Sequence, residues 1–308
     1  MKLAFLFSGQ GAQYPGMMKD LFDSESAARS VFDSADTILG RSISGLCFEG
    51  TQEELNLTHN TQPCVLAADL AAGMALRAHG IEPDVVAGFS LGEYAALAFS
   101  GAMSVEEAIE IIQVRADAMQ EAVPAGQGAM AAMVGASPEQ VEEICAKVTE
   151  GYVVAANYNS LVQTVVSGTA AGVDQAIAIA GEQGIRCVRL AVSAPFHCKL
   201  MEPAALKLKA LFETKHFEAP KLPVYMNVDG MPVESGDAVS ELLVRQAMSP
   251  VRWVQTLQNM QADGVDTFVE CGPGKTLSGL VKKTLKGVKI CRVENLKTLN
   301  DTLEALKG

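Results

Sequence analysis

No run of about 18 residues in this 308-residue chain is apolar enough to span a bilayer. The nearest stretch, 85–103, is interrupted by Glu93. An export signal is not expected either. Met1-Lys2-Leu3-Ala4-Phe5-Leu6-Phe7 is basic then apolar, but Ser8-Gly9-Gln10-Gly11 ends the run too early. Paired cysteines are also lacking. The seven cysteines (47, 64, 145, 187, 198, 271, 291) form no C-x-x-C pair and no zinc spacing, so reduced thiols in a cytoplasmic protein are expected. There is no internal repeat and no low-complexity tract. Positive charge is scarce: 24 Lys and Arg against 36 Asp and Glu leave a formal charge of −12. The resulting pI of about 4.9 argues against attraction of the whole surface to nucleic acid or an anionic membrane. Any anionic substrate must then be held by local positive groups.

Apolar residues make up 49% of the chain, too many for global disorder at this charge. The length allows two domains of about 150 residues, or one large domain with an insertion. Leu3 to Phe7 reads as a buried strand followed by a glycine-rich turn. Helices are expected at 26–39 and 64–79, then a strand at 85–87, a helix at 93–99 and another from Ser104 to about Ala122, opened by a Ser104/Glu107 capping box. Beyond Pro124-Ala125-Gly126 the order becomes strand 129–134, helix 138–149, strands 152–157 and 163–167, helix 171–183, strand 185–192, closed by Ser193-Ala194-Pro195. That βαββαβ order is ferredoxin-like. A helix at 199–213, a strand at 222–227, a helix opened by Ser249-Pro250, a strand at 267–270 and a helix at 275–286 complete the reading. The fold class is therefore α/β, with a parallel-sheet, hydrolase-like main domain (1–126 and 195–308) interrupted by a ferredoxin-like subdomain at 127–194.

Gly88-Phe89-Ser90-Leu91-Gly92 lies between an expected strand and an expected helix, the pattern of a nucleophile elbow. A serine there projects at a helix N-terminus, where free N–H groups can stabilise an oxyanion. Ser90-x-x-Glu93 is equally a capping box, and serine at a helix start is usually only a cap. A serine nucleophile needs a base, and only His59, His79, His197 and His216 are available. The first, second and fourth sit in polar surroundings. His197 falls at the seam where the inserted unit rejoins the main one, as clefts often do. A structural loop histidine is the alternative. Cys198 beside it is discounted as a partner, since adjacent side chains usually point apart. Arg115 shares the apolar stripe of its helix with Ile111, Ile112 and Met119. It either snorkels, forms a structural ion pair, or waits for a substrate carboxylate with its planar fork.

Several separated motifs agree on one resemblance. Gly9-Gln10-Gly11-Ala12-Gln13, Gly88-Phe89-Ser90-Leu91-Gly92-Glu93-Tyr94, Arg115, Ala156-Asn157-Tyr158-Asn159-Ser160, Ala194-Pro195-Phe196-His197 and Glu270-Cys271-Gly272-Pro273-Gly274 resemble malonyl-CoA:acyl carrier protein transacylases from residue 1 to about 290. The resemblance implies that Ser90 is acylated, His197 is general base then acid, and Arg115 holds the malonyl carboxylate. It implies an oxyanion hole from the Gln10 and Leu91 N–H groups, a Gln246 carbonyl that orients the histidine, and acyl or substrate contacts from Met119, Phe196 and Asn159. Malonyl-CoA and acyl carrier protein would be the partners, a monomer the expected state, and no metal or other cofactor is implied. Fatty acid synthesis is the implied setting. A stand-alone polyketide acyltransferase, a serine esterase or thioesterase, and a non-catalytic carrier-binding scaffold are the alternatives. Two departures stand out. The family often has His where this chain has Phe89, and Pro-Gly where it has Leu161-Val162. Phe196 leans toward the unbranched extender.

The charge then needs a local answer. No acidic residue lies between Glu270 and Glu294, where Lys275, Lys282, Lys283, Lys286, Lys289 and Arg292 all fall, and Arg186, Arg189 and Lys199 bracket the seam. A solvated face is the plain reading. A rim that steers acidic partners, with Lys282, Lys283, Lys286, Arg186 and Arg189 as its members, is the functional one.

Overall fold

The computed structural model describes residues 1–192 and 194–307, so Ser193 of the expected closing turn lies outside it. Among the described residues ten strands form two sheets: β1 (Leu3–Phe7), β2 (Val85–Gly88), β3 (Gly128–Val134), β4 (Val153–Ser160), β5 (Gln163–Thr169), β6 (Arg186–Arg189), β7 (Val224–Tyr225), β8 (Pro232–Val233), β9 (Thr267–Cys271) and β10 (Lys289–Val293). The larger sheet runs β10-β9-β1-β2-β7-β8. Its first five strands are parallel, and β8 pairs antiparallel with β7. Every residue of β1 is buried, as a parallel strand covered on both faces requires. Phe5 and Phe7 both pack on Phe99 at 5.6 Å from the 92–99 helix. Ala4 and Leu6 face the opposite layer with Trp253, Leu257 and Leu280. Phe7 is in register with both Gly88 and Cys271, so the turns after β1, β2 and β9 emerge side by side at the carboxyl edge of the sheet. In open α/β sheets this edge is where ligands bind.

The smaller sheet is ordered β4-β5-β3-β6, with every neighbouring pair antiparallel. The 138–146 and 170–182 helices cover one face through Val141, Ile144, Val173 and Ala176, packed on Ala131, Met133 and Val166. The alternate residues Met130, Ala132 and Val165 face the other way and pack with Met119 and Phe196. A bridge between Asn157 and Val251 ties β4 to the rest of the molecule.

Several boundaries differ from expectation for identifiable reasons. The helix expected from Cys64 begins at Thr58 and carries Pro63 inside it. Proline leaves the His59 carbonyl without its helical donor, and Arg41 Nη2 supplies one at 2.9 Å. The helix expected from Ser249-Pro250 begins at Trp253, because Val251 is extended and exchanges hydrogen bonds with β4 through Ala156 and Tyr158. The 199–213 helix opens with a 3₁₀ turn at 199–201, and the strand expected at 222–227 is reduced to β7. A helix at 236–248, β10 and a final helix at 296–306 were not expected. Their signals were present: Ser235 caps the first, and Asn295 with Thr298 forms a capping box for the last. Among the described residues no helix is long and apolar enough to cross a membrane.

Candidate active site

The turn after β2 is built by its two glycines. A Cβ on Gly88 would lie 1.9 Å from the backbone of Gly92, and one on Gly92 would lie 2.4 Å from the carbonyl oxygens of Phe7 and Ser8. Strand and helix can approach this closely only without side chains there. Between them Ser90 adopts a left-handed φ of 54°. Asn227, just beyond β7, clamps the turn: its Oδ1 accepts from Ser90 N at 2.7 Å and its Nδ2 donates to Gly88 O at 2.7 Å.

The capping box suggested by Ser90 and Glu93 does not form. Ser90 Oγ instead lies 2.7 Å from His197 Nε2 and accepts from Arg115 Nη2 at 3.1 Å. The Glu93 carboxylate turns inward, accepting from Asn227 N at 2.5 Å and Gln246 Nε2 at 3.0 Å. His197 also has a left-handed φ, 60°, and its Nδ1 lies 2.9 Å from the Gln246 carbonyl. Donation to that carbonyl leaves Nε2 as the acceptor facing Ser90. Burial, followed by the nearby Arg115 charge, pushes His197 down to about 4. The imidazole is therefore neutral at pH 7, as a proton acceptor must be.

Arg115 is only 1% exposed, on the 105–121 helix. Its Nη1 donates to Gln62 Oε1 at 2.7 Å and its Nη2 to Gln246 Oε1 at 3.0 Å. The guanidinium carbon sits 5.3 Å from the Tyr94 ring centroid. Both amide partners are neutral, and no carboxylate pairs with Arg115 among the described residues. Burial lowers its pKa, with Tyr94 and Glu93 acting the other way. Burial also pushes Glu93 up to about 8, against the Asn227 and Gln246 hydrogen bonds and the Arg115 charge. Snorkelling is ruled out by the burial, and a direct structural ion pair by the partners.

These groups open into a cleft of about 240 Å³ between the carboxyl edge of the large sheet and the open face of the small one. Gln10, Leu91, Met119, Asn159 and Phe196 all line it. Neither the Gln10 nor the Leu91 backbone N–H has a partner among the described residues. Asn159 Oδ1 is buried with no partner among them. Phe89 lines the cleft as well and packs edge-on against Trp253 at 5.3 Å. Such a site could acylate its serine, hold the oxyanion, and grip an acyl group that ends in a carboxylate.

The other histidines stay outside. His59 pairs with Asp117 and His79 with Glu25, while His216 is exposed beside Glu218. The Cys198 thiol donates to Pro195 O, and burial raises its pKa. Of the two β6 cations, Arg186 shares the face of Leu190, which lines the cleft. Arg189 points to the helix-covered face and pairs with Asp174, so it does not join Arg186. Lys282, Lys283 and Lys286 are exposed near the C-terminal end of the 276–284 helix, whose first turns supply Thr276, Leu277 and Leu280 to the cleft. Among the described residues, no group of three His, Cys, Asp or Glu side chains could hold a metal.

Three contributors were not anticipated. Gln62 lies in the helical turns hidden by Pro63. Asn227 fell at the end of the strand expected at 222–227, and nothing in that run marked it as the clamp of a distant turn. Glu93 was visible, but a local cap explained it equally well.

Comparison with known proteins finds relatives along nearly the whole chain. The model of the acyl transferase domain matches residues 4–301. A malonyl CoA-acyl carrier protein transacylase of Bacillus subtilis is 44% identical over 309 residues, covering 99% of this chain and 98% of that protein. The enzyme of the same name from Escherichia coli O157:H7 is 41% identical over 92% of each chain. Among solved structures, the malonyl CoA-acyl carrier protein transacylase of Clostridium perfringens superposes with a TM-score of 0.96 at 42% identity, over 100% of this chain and 98% of its own. A malonyl-transacylase in complex with a type II PKS acyl-carrier protein gives a TM-score of 0.96 at 37% identity, over 99% of this chain and 100% of its own. With a mixed α/β fold shared end to end and a family match across nearly its whole length, the chain belongs to the acyl transferase domain family.

Proposed function

We propose that this protein is an acyl-carrier-protein S-malonyltransferase, moving malonyl from malonyl-CoA to the phosphopantetheine thiol of acyl carrier protein for fatty acid synthesis. The observation that carries the reading is Arg115: a buried, unneutralised guanidinium 3.1 Å from the Ser90 hydroxyl. A fork in that place binds the far carboxylate of a short diacid thioester while its carbonyl sits at the nucleophile.

Ser90 Oγ attacks the thioester carbon as His197 Nε2 takes the hydroxyl proton. The carbonyl oxygen becomes an oxyanion held by the Gln10 and Leu91 N–H groups, helped by the positive end of the 92–99 helix. Collapse breaks the C–S bond, and the departing CoA sulfur receives the proton from His197. The acceptor thiol then gives its proton to His197 and attacks malonyl-Ser90, and collapse returns that proton to Ser90. Gln246 replaces the acid of a triad with its backbone carbonyl. A thiol is a good leaving group, so this weaker support suffices. Met119 and Phe196 wall the acyl group, and Asn159 accepts from the arm of the thioester. No metal or cofactor enters these steps.

The same reading assigns 127–194 to a ferredoxin-like subdomain inserted in a hydrolase-like main domain of 1–126 and 195–308. The β4-β5-β3-β6 order and the elbow support it. It also takes the protein to be a cytoplasmic monomer, with Lys282, Lys283, Lys286 and Arg186 on the face that meets the acidic carrier. A type II polyketide carrier is the second reading for the acceptor, favoured by the 37% identical transacylase in complex with such a carrier.

Intact-mass measurement after mixing with malonyl-CoA tests the reading. A malonyl adduct on Ser90, discharged by carrier protein, is the expected result. Rapid free malonate without acceptor would make the protein a thioesterase, and no adduct would make it a scaffold.

A further inference from the structure

The Gln246 side chain can enter its site in two orientations, related by turning the amide over. Its surroundings admit one. The Nε2 end faces two acceptors, Ser90 O at 2.8 Å and Glu93 Oε1 at 3.0 Å. The Oε1 end faces a donor, Arg115 Nη2 at 3.0 Å. Reversal would put an NH₂ against the guanidinium and a carbonyl against two oxygens. Glu93 in turn cannot pivot away, because its other oxygen takes the Asn227 backbone N–H at 2.5 Å. The amide also separates two charges. A carboxylate touching Arg115 would cancel the charge a substrate carboxylate needs, whereas Glu93 acts through one intervening residue. Gln62 presents the same kind of neutral oxygen to Nη1. The fork is thus oriented from two sides without being neutralised.

We propose that Glu93 is a positioning residue for acyl-group selectivity: it fixes which end of the Gln246 amide faces Arg115, and so keeps the guanidinium available to a carboxylate-bearing acyl group. The inference rests on the carboxylate role of Arg115 proposed above.

Glu93→Gln is the deciding variant. It preserves size but leaves one oxygen for two donors. The Asn227 N–H is fixed backbone and keeps that oxygen, so the new NH₂ meets Gln246 and turns its amide over. Second-order acylation of Ser90 by malonyl-CoA and by acetyl-CoA is measured on one preparation, so the folded fraction cancels in the ratio. The malonyl-to-acetyl ratio should fall about tenfold or more, as for a disturbed hydrogen bond to a charged group. Equal losses for both donors, or an unchanged ratio, would overturn the inference. If Glu93→Gln does not fold, Gln246→Glu takes its place. It keeps the backbone carbonyl for His197 but sets a carboxylate against Arg115, and the ratio should collapse. Arg115→Ala separates the two layers. If it leaves the ratio intact, the receptor reading falls and the inference with it. If it destroys the ratio while the deciding variant does not, only the inference falls.

Discussion

The two sheets serve the cleft differently. The parallel sheet contributes through strand ends: the turns after β1, β2 and β9 meet at one edge and bring backbone N–H groups, Ser90 and the first turns of the 276–284 helix together. The antiparallel sheet contributes through its face, where alternate residues such as Met130, Ala132 and Val165 form a wall. Turns can aim several groups at one point but bind each to its neighbours, as Asn227 is bound to Gly88, Ser90 and Glu93. A strand face offers side chains one at a time, so each can change alone. Reaction should therefore depend on the first sheet and its attached loops, and affinity on the second.

The contrast is sharpest at His197. His197→Ala should slow the acylation burst of Ser90 about a thousandfold or more, the scale of a lost general base. An unchanged burst would remove it as the base. In the intact protein the imidazole is held near 4, so it stays unprotonated well below pH 6.5. The kcat/KM for malonyl-CoA should hold level down to about pH 5 and fall below that as the imidazole protonates. An acid limb centred near 6.5 would show that burial and Arg115 do not depress it. On the wall, Asn159→Ala should raise KM for malonyl-CoA about tenfold with kcat little changed, as expected for uniform binding. A matching fall in kcat would break the division between the sheets. The smallest effect belongs to the rim. Lys282→Glu with Lys283→Glu should raise KM for carrier protein a few-fold at low salt and less at high salt. Insensitivity to salt would retire the steering role.

What was legible in the sequence follows the same division. Ser90, Arg115 and His197 could be read because each breaks a local pattern: a glycine-flanked turn, a charge in an apolar stripe, a histidine at a seam. The small sheet was legible as an order of elements, since its strands and helices alternate cleanly in hydrophobic period. Gln62 was hidden because Pro63 suggests a helix start, and a proline there is tolerable because side chains distant in sequence, Arg41 and Gln113, donate to the His59 carbonyl. Glu93 was misread because its spacing from Ser90 satisfies a local motif, whereas its real partners are 134 and 153 residues away. The 236–248 helix was missed although Val239, Leu243 and Ala247 repeat every four residues. Sequence pattern reports a residue's neighbours along the chain, and the site is held together by neighbours in space.

Of the three described non-glycine residues with positive φ, two are Ser90 and His197. Such conformations cost about 1–3 kcal/mol each, against a net stability of about 5–15 kcal/mol for a typical domain. Glycine at either position would relieve the strain and remove the chemistry in the same step. A thermostability screen that scores only unfolding temperature would therefore favour inactive variants at these two positions, and any effort to harden this protein must select for turnover as well as for heat resistance.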